Sequence, residues 1–283
     1  MNILDYRHPR VTFLTYVSLL VWTMIKPHPV LTVWSVVGSL LLLFSYYRAG
    51  AKDTVKRVTV LFLLIALFNP LFVHRGVTVV GFLFGRPITV EAMLYGVQTG
   101  LMIAAIMLWS ASFSRLLNSE KVLALTGGVM PKISLILMLT LRSIPRYKRK
   151  LKQMEEVYVP RPDHGKIRRR LALWNQLFGW AIEESVVTAD SMLARGYGIG
   201  PRSSFNLFIW RKADTAALLW LIVWNAAMGV ATHVGLFDIT FYPRFAIMGF
   251  RPLSVILPAF MFLAPALYLM LDRRIYRTEA SHG

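Results

Sequence analysis

Six apolar runs, broken by one long basic interruption, limit what this chain can fold into. The runs fall at about residues 11–25, 30–47, 58–73, 87–113, 213–234 and 253–271. Each approaches the roughly 20 residues that carry a helix across a bilayer. The expected fold is therefore an all-α polytopic membrane protein, with about six membrane helices plus two or three cytoplasmic amphipathic helices. It divides into N-terminal membrane helices over 1–113, a cytoplasmic region over 114–212 and C-terminal membrane helices over 213–283. The composition agrees, since 56% of the residues are hydrophobic and the mean hydropathy is +0.53. A soluble domain needs more charged surface than that leaves. The first run ends in Met24-Ile25-Lys26-Pro27 without a small-residue cleavage site, so it is expected to stay as a membrane helix.

The formal charge of +18 would suggest nucleic acid on a soluble fold. Here the apolar runs assign it to loops on the cytoplasmic face, and no nucleic-acid partner is expected. With the N-terminus inside, 27 of the 32 Lys and Arg residues fall on the cytoplasmic side and five on the other; the short loops alone divide nine to five. Both termini are expected in the cytoplasm, in a multi-pass protein of a prokaryotic plasma membrane.

Residues 114–212 hold 18 of the basic residues against seven acidic ones. After Pro131 the pattern is helical: Ile144, Tyr147, Leu151, Met154 and Tyr158 form one narrow stripe, with Arg146, Lys148, Arg149, Lys150 and Lys152 around the remaining circumference. A second stripe, Trp174, Phe178, Ile182, Val186, Ala189 and Leu193, advances in steps of four, four, four, three and four. Gly196 then supplies the residue that commonly ends a helix, which puts Arg195 at its tip. Such a cation has a purely local use against the helix dipole. It also has a functional one, projecting a planar fork into an acidic recess of a partner. Between the two stripes, Pro160 and Pro162 break the first helix and leave Arg161 just beyond its end.

Catalytic and metal motifs are missing. There is no phosphate-binding glycine loop ending in Lys-Ser or Lys-Thr, no His-Glu-x-x-His and no Gly-x-Ser-x-Gly. With no cysteine, thiol chemistry and disulfides are excluded. The six histidines lack ligand spacing and are read as capping or interfacial groups. Glu91, two residues after the N-cap candidate Thr89, is read as a structural carboxylate in a first helical turn. No catalytic site, cofactor or metal is expected in the chain itself.

Four stretches, in order, carry a resemblance. They are Phe68-Asn69-Pro70-Leu71-Phe72 with His74-Arg75-Gly76; Pro87-Ile88-Thr89-Val90-Glu91 leading to Tyr95-Gly96; Leu141-Arg142-Ser143-Ile144-Pro145-Arg146; and Ala189-Asp190-Ser191-Met192-Leu193-Ala194-Arg195-Gly196-Tyr197. Together they resemble the transmembrane component of energy-coupling factor transporters, ATP-driven importers of vitamins and metal ions. The Phe68 to Glu91 region is most similar to components shared among several substrate-binding subunits.

The resemblance implies two ABC ATPase subunits that bind the ATP, a membrane-embedded substrate-binding subunit, and two coupling helices ending in Ala-Arg-Gly motifs that dock into the ATPases. Ala194-Arg195-Gly196 matches the second motif. The first is replaced by Pro160-Arg161-Pro162, so either a stiffer backbone preserves the docking of Arg161 or the motif lies a few residues away. Tyr147, Leu151, Met154, Trp174, Phe178, Ile182 and Val186 would form the coupling-helix interface, the two stripes crossing each other and sliding against the binding subunit. The contrasting expectation is a non-transport scaffold whose basic segment holds anionic lipid or an acidic protein.

Overall fold

The structure is a computed structural model that describes residues 8–46, 50–73, 76–83, 86–116, 119–127, 130–157, 166–200, 210–242, 246–247 and 252–279. Among them it is mostly helical. The helices are α1 (Pro9–Ile25), α2 (Pro29–Tyr46), α3 (Ala51–Phe72), α4 (Val90–Leu116), α5 (Ser119–Gly127), α6 (Pro131–Val157), α7 (Lys166–Ala194), α8 (Lys212–His233) and α9 (Pro252–Glu279). Three of the described helices, α3, α4 and α8, are long and apolar enough to cross a membrane. Residues Pro9–Ile25, Pro29–Ser45 and Pro252–Leu267 form shorter apolar helices. These features are compatible with a membrane protein.

Two details depart from an all-helical reading. The stretch before α4 is an antiparallel hairpin, β1 (Val79–Leu83) with β2 (Arg86–Thr89), and a second small one pairs β3 (Ile239–Thr240) with β4 (Ala246–Ile247). Alternation does not reveal the first hairpin, because Val79, Val80 and Phe82 are all exposed.

The chain divides into two compact units, residues 1–118 with 208–283, and residues 119–207. In the first unit glycines stand at close helix crossings. A Cβ on Gly38 of α2 would overlap the carbonyl oxygen of Phe262 on α9. Gly96 and Gly100 of α4, spaced as Gly-x-x-x-Gly, let α3 approach: a Cβ on Gly96 would lie 3.0 Å from Asn69 Cβ, and one on Gly100 3.0 Å from the Phe62 ring. Such close backbone approach maximises dispersion contact between helices.

Hydrogen bonds between helices add to this packing. Asn225 Oδ1 of α8 accepts from Ser18 Oγ and from Trp22 Nε1 of α1, both at 2.7 Å. Ser35 of α2 accepts from Trp109 Nε1 of α4 at 2.9 Å and shares a hydrogen bond with Thr23 of α1.

The two His-Pro pairs use one capping device. His8 Nδ1 accepts the backbone N–H of Arg10, and His28 Nδ1 that of Val30, while the proline in each pair opens the helix. The capping role expected of the histidines is met at both positions. His28 lies in the turn between α1 and α2, buried with its ring against Phe237. Burial pushes its pKa below the ordinary 6.5, so the ring is neutral and free to accept.

The ends of α1 lie beside the ends of α8. The His8 ring is 4.8 Å from that of Trp210, just before α8, and Lys26 Nζ is 2.8 Å from Asp238 Oδ1, just after it.

Candidate functional site

Glu91 is only 3% exposed, in the first turn of α4, where Thr89 Oγ1 accepts the Ala92 N–H. Its carboxylate accepts from Thr78, from the backbone N–H at 3.2 Å and from the hydroxyl at 2.9 Å. Gly76 is packed against the same group: a Cβ there would lie 2.6 Å from Glu91 Oε2. Glu91 therefore ties the chain ahead of β1 to the start of α4, a structural use that leaves its oxygens occupied.

In the second unit α6 and α7 pack on each other. Pro145 does not end or hinge the first of them; it sits inside α6, which continues to Val157. The pair is braced by an ion pair between Arg146 and Glu184 at 2.8 Å. Beside it the Tyr147 ring meets Trp180 edge-on at 5.6 Å, and Lys150 Nζ lies 5.5 Å over the same indole. On α6 the sequence stripe is half-buried at Tyr147, Leu151 and Met154, whereas Ile144 is exposed.

On α7 the packed face differs from the stripe, which corrects the expected crossing of the two stripes. Leu173 and Leu177 are buried and Trp180, Glu184 and Thr188 half-buried, at offsets of four, seven, eleven and fifteen from Leu173. Trp174, Phe178, Ile182 and Val186 lie about a third of a turn further round and are all exposed, Phe178 at 63%. A count of apolar residues misses the packed face because Glu184 and Thr188 belong to it. The ion pair and the ring contact satisfy there what an apolar pattern cannot show.

The end of α7 is held by its backbone. Tyr197 N–H donates to Met192 O at 3.1 Å and Gly196 N–H to Leu193 O at 2.9 Å, with Gly196 at φ +82°. This is the paired hydrogen-bonding pattern of a Schellman cap, and its left-handed residue is glycine for lack of a Cβ penalty. Ala194 closes the last turn, and Arg195 occupies the cap position with its side chain exposed and no ion pair among the described residues. Pro160 and Arg161, with Tyr158 of the first stripe, lie outside the described residues.

Chemically, the second unit presents one rigidly capped arginine and one uncovered apolar stripe on a single braced helix. Among the described residues no three His, Asp or Glu side chains gather as metal ligands. No protein-family model matches the chain, and no curated protein is significantly similar to it in sequence.

Proposed function

We propose that this chain is the transmembrane coupling subunit of an energy-coupling factor type transporter, of the kind that serves several substrate-binding subunits. It spans a prokaryotic plasma membrane six times, with both termini in the cytoplasm. The observation that carries the reading is Arg195, exposed at the end of α7, where a backbone cap fixes the point from which its side chain springs. A fixed backbone at the base of a docking side chain spares binding the cost of ordering that backbone.

The geometry of the helix pair supports a lever. Two ATPases bind ATP and move; Arg195 and Arg161 seat in them; α6 and α7, braced through Arg146 and Glu184, carry the displacement. The exposed Trp174, Phe178, Ile182 and Val186, with the half-buried Tyr147, Leu151 and Met154, meet the substrate-binding subunit. A six-span topology is favoured by the course of α1, whose two ends lie beside those of the spanning-length α8.

Co-purification from native membranes tests this. The wild-type chain is expected to recover two Walker-motif ATPases and a small hydrophobic subunit. Arg195→Ala removes a charge-assisted contact of about 2 to 5 kcal/mol and should lose the ATPases while inserting normally. A fully assembled, transporting complex with Arg195→Ala would refute the docking role, and recovery of anionic lipid without ATPases would favour the scaffold.

A further inference from the structure

One cavity in the first unit is not used by the coupling reading. It has a volume of about 450 Å³, is half-open, and lies among the N-terminal halves of α1 and α8, the C-terminal part of α4 and the middle of α9, with Leu42 of α2. It exists because α8 faces it with alanines: Ala213, Ala216 and Ala217 stand where larger side chains would close the gap to Val11 and Tyr16 of α1. The lining is strongly apolar. Even Thr15 contributes little polarity, since its hydroxyl donates back to Val11 O at 2.8 Å. Such a lining offers water few hydrogen-bond partners.

The end of the cavity nearest the starts of α1 and α8 has the opposite character. Arg10 directly precedes the lining residue Val11, and Arg211 and Lys212 directly precede Ala213. All three side chains are exposed, and none forms an ion pair among the described residues. The nearby carboxylate, Asp214, is buried and accepts the Arg211 backbone N–H, which closes the first turn of α8. Trp210 stands beside them, partly exposed and packed on His8. Three cations and a tryptophan at the end of an apolar slot are what the headgroup layer of a membrane selects.

We propose that this cavity is a binding site for one anionic phospholipid, an acyl chain lying between α1 and α8 and the phosphate held by Arg10, Arg211 and Lys212. The site needs only that the chain is membrane-embedded and is independent of the transporter reading. The lipid takes the place of side chains that the alanines of α8 lack and so completes the packing of α8 on α1.

The test is native mass spectrometry of the full-length chain after reconstitution into vesicles of equal phosphatidylglycerol and phosphatidylcholine. The wild-type protein is expected to retain one phosphatidylglycerol in preference to phosphatidylcholine. Joint substitution Arg10→Gln, Arg211→Gln and Lys212→Gln at the surface should cut phosphatidylglycerol retention by about fivefold per cation and lower that of phosphatidylcholine, whose choline offsets its phosphate, far less. Ala217→Phe, which fills the slot, should abolish retention of both lipids; Ala213→Leu at the exposed rim does the same with less intrusion if Ala217→Phe does not fold. Equal retention of the two lipids by the wild-type chain overturns the headgroup assignment. Undiminished phosphatidylglycerol on a folded filled variant overturns the cavity assignment.

Discussion

The docking proposed for Arg195 depends on Gly196, which follows it. At φ +82° a β-carbon at position 196 would cost about 1 to 2 kcal/mol, enough to unwind the cap and let the arginine swing. Gly196→Ala is therefore expected to weaken ATPase co-purification roughly tenfold although Ala194 and Arg195 are themselves unchanged. Full recovery of the ATPases with this variant would show that the cap does not matter. This feature was legible in the sequence because a helix stop is local chemistry, spelled out in Ala194-Arg195-Gly196. The role of Glu91 was legible in kind but not in partner, since Thr78 lies thirteen residues earlier across a hairpin that no pattern announced. At His28 the buried, neutral ring has a pKa below its ordinary 6.5. Its contribution to stability is present above that value and is lost as pH falls through 6.5 towards the depressed folded value, because the unfolded ring takes up its proton first. Thermal denaturation in detergent should show the wild-type midpoint falling between about pH 7.5 and 5.5, and His28→Asn, which keeps an acceptor but does not titrate, should flatten that fall.

Between elements, what the sequence hides is which of two apolar faces a helix buries. Both faces of α7 carry large hydrophobic residues, and the stripe with the stricter spacing is the uncovered one, because packing on α6 follows Arg146, Tyr147 and Trp180. Adjacent residues separate the two roles. Leu177→Ala should destabilise the chain by about 2 to 5 kcal/mol, seen as a lowered melting temperature, since Leu177 is 7% exposed. Phe178→Ser should leave melting within about 0.5 kcal/mol of wild type and instead reduce recovery of the small hydrophobic subunit. Equal melting losses in the two variants would mean that the stripe is covered by the chain itself. The six apolar runs were readable as helices, yet their contacts were not. Gly38 looks like any glycine in an apolar run until Phe262 O is found where its side chain would be.

For the whole molecule, the question is how many of the apolar helices cross the membrane. Charge asymmetry predicts both termini on one side, but α1 and α2, though as apolar as α3, α4 and α8, are shorter than they are. A helix of 17 residues is about 26 Å long, a little short of a hydrocarbon core of about 30 Å. The Lys26–Asp238 bridge bears on the outcome, because it joins the turn after α1 to the connection after α8. If α8 crosses, so does α1, and the turn between α1 and α2 must emerge on the far side. The chain has no cysteine, so single replacements report position without background. Lys26→Cys and Asp238→Cys should both react with a membrane-impermeant maleimide on intact cells, whereas Glu155→Cys and Arg195→Cys should react only after permeabilisation. Each replacement at the bridge removes an exposed pair of under about 1 kcal/mol, so the fold survives the test. A Lys26→Cys that is protected while Asp238→Cys is labelled would place α1 and α2 on one side of the bilayer, and labelling of Glu155→Cys from outside would invert the orientation.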